Sequence, residues 1–220
     1  MNRAGAGQRE LYDDEWSGWK AGTTAFVGVR RYDQISDVVQ RLGPRKILDV
    51  GCGDGRLARA IRVHCSDVVI HGCDLSAVAL ARSEGLDRQY VVDLDGGVLP
   101  EPSGSFDLVI ASEVIEHLIQ PDRVLSELTR VLRPGGHILL TVPNVAFWRF
   151  RVQALRGHVP SVTADDRHLH SFNASLLEQL VWKAGLQVVR LTGLRQRFNR
   201  LSQLYFKLLS DTLLIVGRKP

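Results

Sequence analysis

The chain has 220 residues, of which 45% are hydrophobic, 24% charged and 7% aromatic, and its formal net charge is +4. That length suits one large domain, which buries roughly 70% of its unfolded surface and folds without a metal or disulfide staple. The composition excludes a mainly disordered chain, and the mild positive charge permits an anionic substrate or partner without demanding one.

Residues 1–15 are Gly-rich and charged and lack the apolar core of a secretory signal, so residues 1 to 12 are expected to be loose. Trp16, Trp19, Phe26, Val29, Tyr32, Ile35, Val38, Val39 and Leu42 then keep a broadly helical spacing that ends at Gly43 and Pro44. A short apolar strand, Lys46–Val50, runs into Gly51-Cys52-Gly53-Asp54-Gly55, and a helix is expected over 56–64. A second strand over 68–73 is closed by Asp74, and a helix over 76–84 leads to a third strand over 89–92. A fourth strand over 106–111, a helix over 124–132, a turn over 133–136 and a fifth strand over 137–142 follow. Strands alternating with helices at this pitch predict an α/β fold with a parallel sheet and helices on both faces.

Past Pro143 the rhythm breaks, and residues 144–171 are aromatic, Arg-rich and His-rich without a clear strand. It resumes with a helix over 174–184, a strand over 186–191 and a last strand over 212–216. Substrate recognition is expected at the break, because sites in such sheets lie outside the carboxyl ends of the strands. Cys52, Cys65 and Cys73 form neither a disulfide framework nor a zinc knuckle, which points to a reducing, cytoplasmic setting. No run of about 18 apolar residues offers a transmembrane segment.

Gly51, Gly53 and Gly55 sit between a strand and a helix, where glycine lets the backbone turn sharply and approach a ligand. Asp74, at the end of the next strand, can accept both ribose hydroxyls of a nucleoside. The string Leu48-Asp49-Val50-Gly51-Cys52-Gly53-Asp54-Gly55 resembles the first motif of class I S-adenosylmethionine-dependent methyltransferases. The string over 106–118, Phe-Asp-Leu-Val-Ile-Ala-Ser-Glu-Val-Ile-Glu-His-Leu, resembles that family's fourth-strand motif, and Leu128-x-x-Val131-Leu132-Arg133-Pro134-Gly135-Gly136 its fifth-strand approach. The resemblance covers most of the chain. It implies a Rossmann-like, seven-stranded, mostly parallel sheet with an antiparallel last strand, and S-adenosyl-L-methionine as cofactor. It places Asp49 and the loop residues Gly51, Cys52, Gly53 and Gly55 at the methionyl part, and Asp74 at the ribose with Leu75 beside the adenine. Asp93 and Leu94 would flank the adenine, with Ala111 and Ser112 near the reactive methyl. The whole chain reads as one domain: a helical cap over 1–44, a cofactor core over 45–143, a substrate lid over 144–171 and completion of the sheet over 172–220. Tyr12, Trp16 and Trp19 either close over the cofactor or pack as ordinary core.

If the turn after strand four is helical, Glu113, Glu116 and His117 share a face. They are candidate ligands for a divalent cation, and His168 and His170 of the insertion could complete the site, with His170 the closest match by resemblance. The ubiquinone-pathway O-methyltransferases and the small-RNA terminal-ribose methyltransferases, which this motif resembles, pair it with metal dependence. The competing reading makes His117 the catalytic group, a base or positioning residue facing the acceptor. Over 144–151, aromatics interleave with Arg149 and Arg151, which could stack on a ring or grip a nucleic-acid backbone. The favoured reading is an amphipathic lid helix with buried aromatics and solvated arginines. Pro143-Asn144, Trp148-Arg149 and Gly157 locally resemble MetW-type proteins. Arg195, Arg197, Arg200 and Lys207, alternating with Phe198, Leu201, Leu204, Tyr205 and Leu208, read as an amphipathic helix packed on the sheet edge or touching an anionic membrane surface.

The resemblance implies methyl transfer to a small-molecule acceptor, on oxygen first and nitrogen next, in a biosynthetic or tailoring pathway. Two other readings stay open: a metal-dependent RNA terminal-ribose 2′-O-methyltransferase, and a non-catalytic cofactor-binding partner protein. A homodimer is the candidate assembly.

Overall fold

The computed structural model describes residues 3–18, 25–165, 167–194 and 205–220. Within them lie the strands β1 (Lys46–Val50), β2 (Val69–Asp74), β3 (Arg88–Val91), β4 (Phe106–Ser112), β5 (Leu132–Pro143), β6 (Gln187–Gly193) and β7 (Thr212–Arg218). They form one seven-stranded sheet in the order β3-β2-β1-β4-β5-β7-β6. β1 pairs in parallel with β2 and β4, β4 with β5 and β2 with β3, while β7 runs antiparallel to both β5 and β6. The expected sheet and its antiparallel last strand are therefore both present.

Helices cover both faces, which is why the central strands read as unbroken apolar runs. On one face lie α2 (Ala25–Leu42) and α3 (Arg56–His64), burying Ile35, Val38 and Val39 from the first and Leu57, Ala58 and Ile61 from the second. On the other lie α5 (Pro121–Val131) and α7 (Ala174–Lys183), burying Val124, Leu125, Leu128 and Val131 together with Leu177, Leu180 and Val181. These spacings of three and four residues are the sequence signature of helices laid on a sheet.

Several boundaries differ from expectation. Residues 3–12 are not loose; they belong to α1 (Arg3–Gly18), which lies against α4 (Ala77–Leu80). The turn expected over 133–136 is absorbed into β5, since Gly135 donates to the Lys219 carbonyl and Lys219 to that of Gly136. The insertion carries a helix, α6 (Trp148–Leu155). Trp19 and most of the amphipathic stretch from Arg195 to Leu204 fall outside the described residues, and its end is α8 (Phe206–Leu209). Among the described residues, no helix is long and apolar enough to cross a membrane.

Candidate active site

The strand order reverses at β1, whose neighbours β2 and β4 lead to opposite halves of the sheet, and a crevice opens outside the carboxyl ends there. It is a cleft of about 1020 Å³, part of it open to solvent. Gly51, Gly53, Asp74, Leu75, Asp93, Leu94, Glu113 and His117 line it, as do Tyr12, Glu15 and Trp16 of α1, Asp95, and Arg167 of the insertion.

The glycine loop is tied to the end of β2. Gly51 and Cys52 both donate to the Cys73 carbonyl, at 2.8 and 3.1 Å, and Gly53 donates to Asp74 Oδ2 at 2.9 Å. Asp74 Oδ1 accepts from Ser76 N at 2.9 Å, so each carboxylate oxygen keeps a lone pair for a ligand. Burial pushes the Asp74 carboxyl upward against the pull of those backbone donors. Gly53 and Gly55 have different reasons to be glycine. A Cβ on Gly53 would stand 2.8 Å from the Trp16 ring at the cleft wall, whereas one on Gly55 would stand 2.2 Å from the Glu84 carbonyl. Both have φ in the left-handed region, 52° and 78°. Gly55 thus lets the start of α3 approach the loop at Glu84 and does not line the cleft.

Asp49, Cys52 and Ser112 also sit behind the wall. Asp49 is 2% exposed, its Oδ2 lacks a hydrogen-bond partner, and burial followed by the charge of Asp74 pushes its carboxyl up to about 8. An unpartnered buried carboxylate oxygen fits a cationic group arriving beside it. Together with the ribose-competent Asp74, it suits a ligand carrying an ammonium and a vicinal diol. Ser112 donates to Thr141 at 2.9 Å, and Thr141 donates in turn to Glu113 at 3.2 Å. Asp93 and Leu94 reach the cleft as expected, with Asp93 accepting from Asp95 N at 3.1 Å. Asp95 caps α5 from outside, accepting from Ile119 N and Gln120 N.

After β4 the chain does not form one helical face. Glu113 takes a left-handed φ of 57°, and only Ile115–His117 make a single 3-10 turn. Glu113, still on the cleft wall, therefore forms an ion pair with Arg31 of α2 at 3.1 Å. Glu116 is 1% exposed, neither carboxylate oxygen has a hydrogen-bond partner, and burial, then Glu113, pushes it well above the usual carboxylate range. Ligand atoms of Glu116, His117 and His168 lie within 4.8 Å of one another. The expected fourth member, His170, is not in that group; it tilts onto Phe172, and its N–H joins that of Leu169 on the Glu116 carbonyl. His168 takes the expected place because the insertion folds back by those two backbone bonds.

His117 Nδ1 faces the Arg167 carbonyl at 3.0 Å and His168 Nδ1 that of Val162 at 2.8 Å. Donation from Nδ1 in both rings assigns the acceptor lone pair to Nε2. Burial lowers the His117 pKa below 6.5, so the ring is neutral at pH 7. Tyr12, pushed up to about 12 by burial, packs its ring edge-on to His117 at 6.3 Å and remains a protonated donor.

The insertion contributes less than its composition promises. Among its described residues Arg167 reaches the cleft, while α6 buries nothing and lines none of it. Instead α1 forms much of the wall. Arg167 forks onto Glu15 at 2.7 and 2.9 Å, Arg82 donates to the Trp16 carbonyl at 2.6 Å, and Asp13 accepts from Ser76. Glu15 and Arg167 carry no local sequence signal, because 152 residues separate them.

A family model described as a methyltransferase domain (Methyltransf_23) matches residues 28–191. A 27-O-demethylrifamycin SV methyltransferase of Amycolatopsis mediterranei is 32% identical over 184 residues, 75% of this chain and 64% of that protein. A ubiquinone biosynthesis O-methyltransferase of Alkalilimnicola ehrlichii is 30% identical over 193 residues, 83% of this chain and 75% of that protein. The chain spans only 56% to 64% of the length of several curated relatives that it matches. An S-adenosylmethionine-dependent methyltransferase structure from Thermotoga maritima shares the fold, with a TM-score of 0.65 at 21% identity over 96% of this chain and 98% of that one.

Proposed function

The chain belongs to the class I S-adenosylmethionine-dependent methyltransferases, and from that premise we propose that it methylates a hydroxyl oxygen of a small molecule in a biosynthetic or tailoring pathway. The observation that carries this reading is the cleft itself: a glycine loop bonded to Asp74, with the unpartnered Oδ2 of Asp49 behind it. S-adenosylmethionine supplies an activated methyl group on a sulfonium. The chain's residues supply binding, orientation and a proton acceptor. Asp74 holds the ribose hydroxyls, Asp49 faces the ammonium, and Asp93 and Leu94 flank the adenine. Neutral His117, fixed by the Arg167 carbonyl, positions the acceptor hydroxyl and takes its proton.

The cleft wall favours a small acceptor over RNA. Its described residues carry five carboxylates, of which Glu113 is paired with Arg31 and Asp74, Asp93 and Asp95 make no salt bridge among the described residues, against the single guanidinium of Arg167, which is itself paired with Glu15 and Asp165. A phosphate backbone would meet repulsion there. The ubiquinone and rifamycin relatives, both named as methylating oxygen, support the choice of atom.

Calorimetry of S-adenosylmethionine binding tests the assignment. Asp74→Ala removes charge-assisted hydrogen bonds and should weaken affinity about 10- to 150-fold. Equal affinity in a variant that keeps its thermal midpoint overturns the site.

A second reading adds a divalent cation to the same machinery. It rests on the Glu116, His117 and His168 cluster, on two unpartnered oxygens in its buried carboxyl, and on both imidazoles donating Nδ1–H to carbonyls, as metal-ligating histidines do. The cation would displace the Glu116 proton and orient the acceptor oxygen. Mn²⁺ added to the chelator-dialysed protein should then raise the thermal midpoint, and His168→Ala should abolish that rise. No rise in the parent protein removes the metal and leaves His117 to act alone.

A further inference from the structure

Residues 144–164 contain three arginines, one histidine and no carboxylate. α6 lies within this segment and has no buried residue, although it is rich in large apolar side chains. At about 100° per residue, Trp148, Val152 and Leu155 fall on one stripe of the helix. Leu155 is 87% exposed, and Val159, just past the helix, is 70% exposed. Arg149 and Arg156 border the stripe on one side and Arg151 on the other, with the Arg149 guanidinium 5.8 Å from the Trp148 ring centroid.

The opposite side anchors the helix. Phe147 is buried and packs edge-on to Phe150 at 5.4 Å. Fully buried Asn144 donates to the carbonyls of Lys207 and Ser210, at 3.1 and 2.7 Å. That bond brings α8 to the base of the insertion, where Tyr205 and Leu208 are exposed beside Lys207. Folding thus holds the helix in place with Val152 half-buried and with Trp148 and Leu155 of the stripe left exposed. The cleft does not use that stripe.

We propose that α6 docks the protein on an anionic lipid bilayer. Trp148, Leu155 and Val159 enter the boundary between headgroups and acyl chains, and Arg149, Arg151 and Arg156 meet the lipid phosphates. An apolar stripe flanked by arginines, on a segment without a carboxylate, is complementary to that surface on both counts. A nucleic-acid backbone would satisfy the arginines but leave Leu155 and Val159 in water. The proposal is independent of the cleft assignment, because none of these side chains lines the cleft.

Co-sedimentation of the full chain with vesicles tests it. Uptake should be strong on phosphatidylcholine doped with phosphatidylglycerol, weak on phosphatidylcholine alone, and reduced by salt. Each arginine near such a surface contributes about fivefold, so R149Q/R151Q/R156Q should lose on the order of 100-fold in partitioning. Leu155→Glu should lose uptake with all three arginines in place. Both variants should keep the parent thermal midpoint and S-adenosylmethionine affinity. Equal uptake on neutral and doped vesicles, uptake unchanged in the triple variant, or binding to an RNA oligomer with no vesicle uptake would each overturn the proposal.

Discussion

Asp49 carries an electrostatic debt that the folded chain alone leaves open. Its carboxyl is pushed up to about 8 from an ordinary 3.8 by burial and by Asp74. Between those values the folded protein holds a proton that the unfolded chain has released, so stability is greatest at low pH and declines as pH rises through the window. The thermal midpoint without cofactor should therefore fall between pH 5 and pH 8, and Asp49→Asn should flatten that fall, as read by scanning calorimetry. Asp74, Glu113 and Glu116, also raised by burial, add to the slope. A bound ammonium beside Asp49 favours its ionised form, so the stabilisation conferred by S-adenosylmethionine should grow over the same interval. Gly51, Gly53 and Asp74 were legible at this scale because a tight turn and a distal acid leave marks in the chain itself. Glu116 was legible as a motif member, but its burial and missing partners were not.

At the scale of elements, α1 is where sequence and structure part most. Its composition is polar and Gly-rich, which argues against a packed helix, and what holds it is contact with distant groups. Arg9 Nε donates to the Leu75 carbonyl at 3.3 Å, Asp13 accepts from Ser76 at the start of α4, and Glu15 meets Arg167. The Glu15–Arg167 pair is about one-third exposed on each side, 39% and 35%, so its worth in global stability is small, at most about 1 kcal/mol. Its effect is local. Arg167→Ala should speed amide hydrogen exchange in residues 9–18 while leaving the denaturant midpoint nearly unchanged; unaltered exchange would show that α1 is held by its other contacts alone. α6 is the converse case. Its alternation of aromatics and arginines was plain in the chain, yet the expected burial of its aromatics holds only for Phe147, with Phe150 half-buried and Trp148 exposed, because Asn144 and Phe147 fasten its base and its stripe faces away.

For the whole molecule, the parallel sheet with helices on both faces and a cleft outside the carboxyl ends of its strands follow from local signals repeated along the chain, whereas the antiparallel β7 was implied by the family resemblance. Apolar runs of strand length, helical spacing between them and a glycine loop after β1 are short-range properties, and a doubly wound sheet is the arrangement that buries them all. The chain by itself therefore determined the fold class, the family and the place of the glycine loop. Tertiary structure alone decided the rest of the site. It brought Glu15 to Arg167 across 152 residues, turned Glu113 to Arg31, and set His168 in place of His170 beside Glu116 and His117. It also left the arginines of α6 outside the cleft, although the +4 charge had permitted an anionic substrate or partner. The physical reason is common to all of these. Periodicity and turn chemistry are written between neighbours, whereas the partner of a side chain on a returning loop depends on where the backbone of the whole domain has carried it.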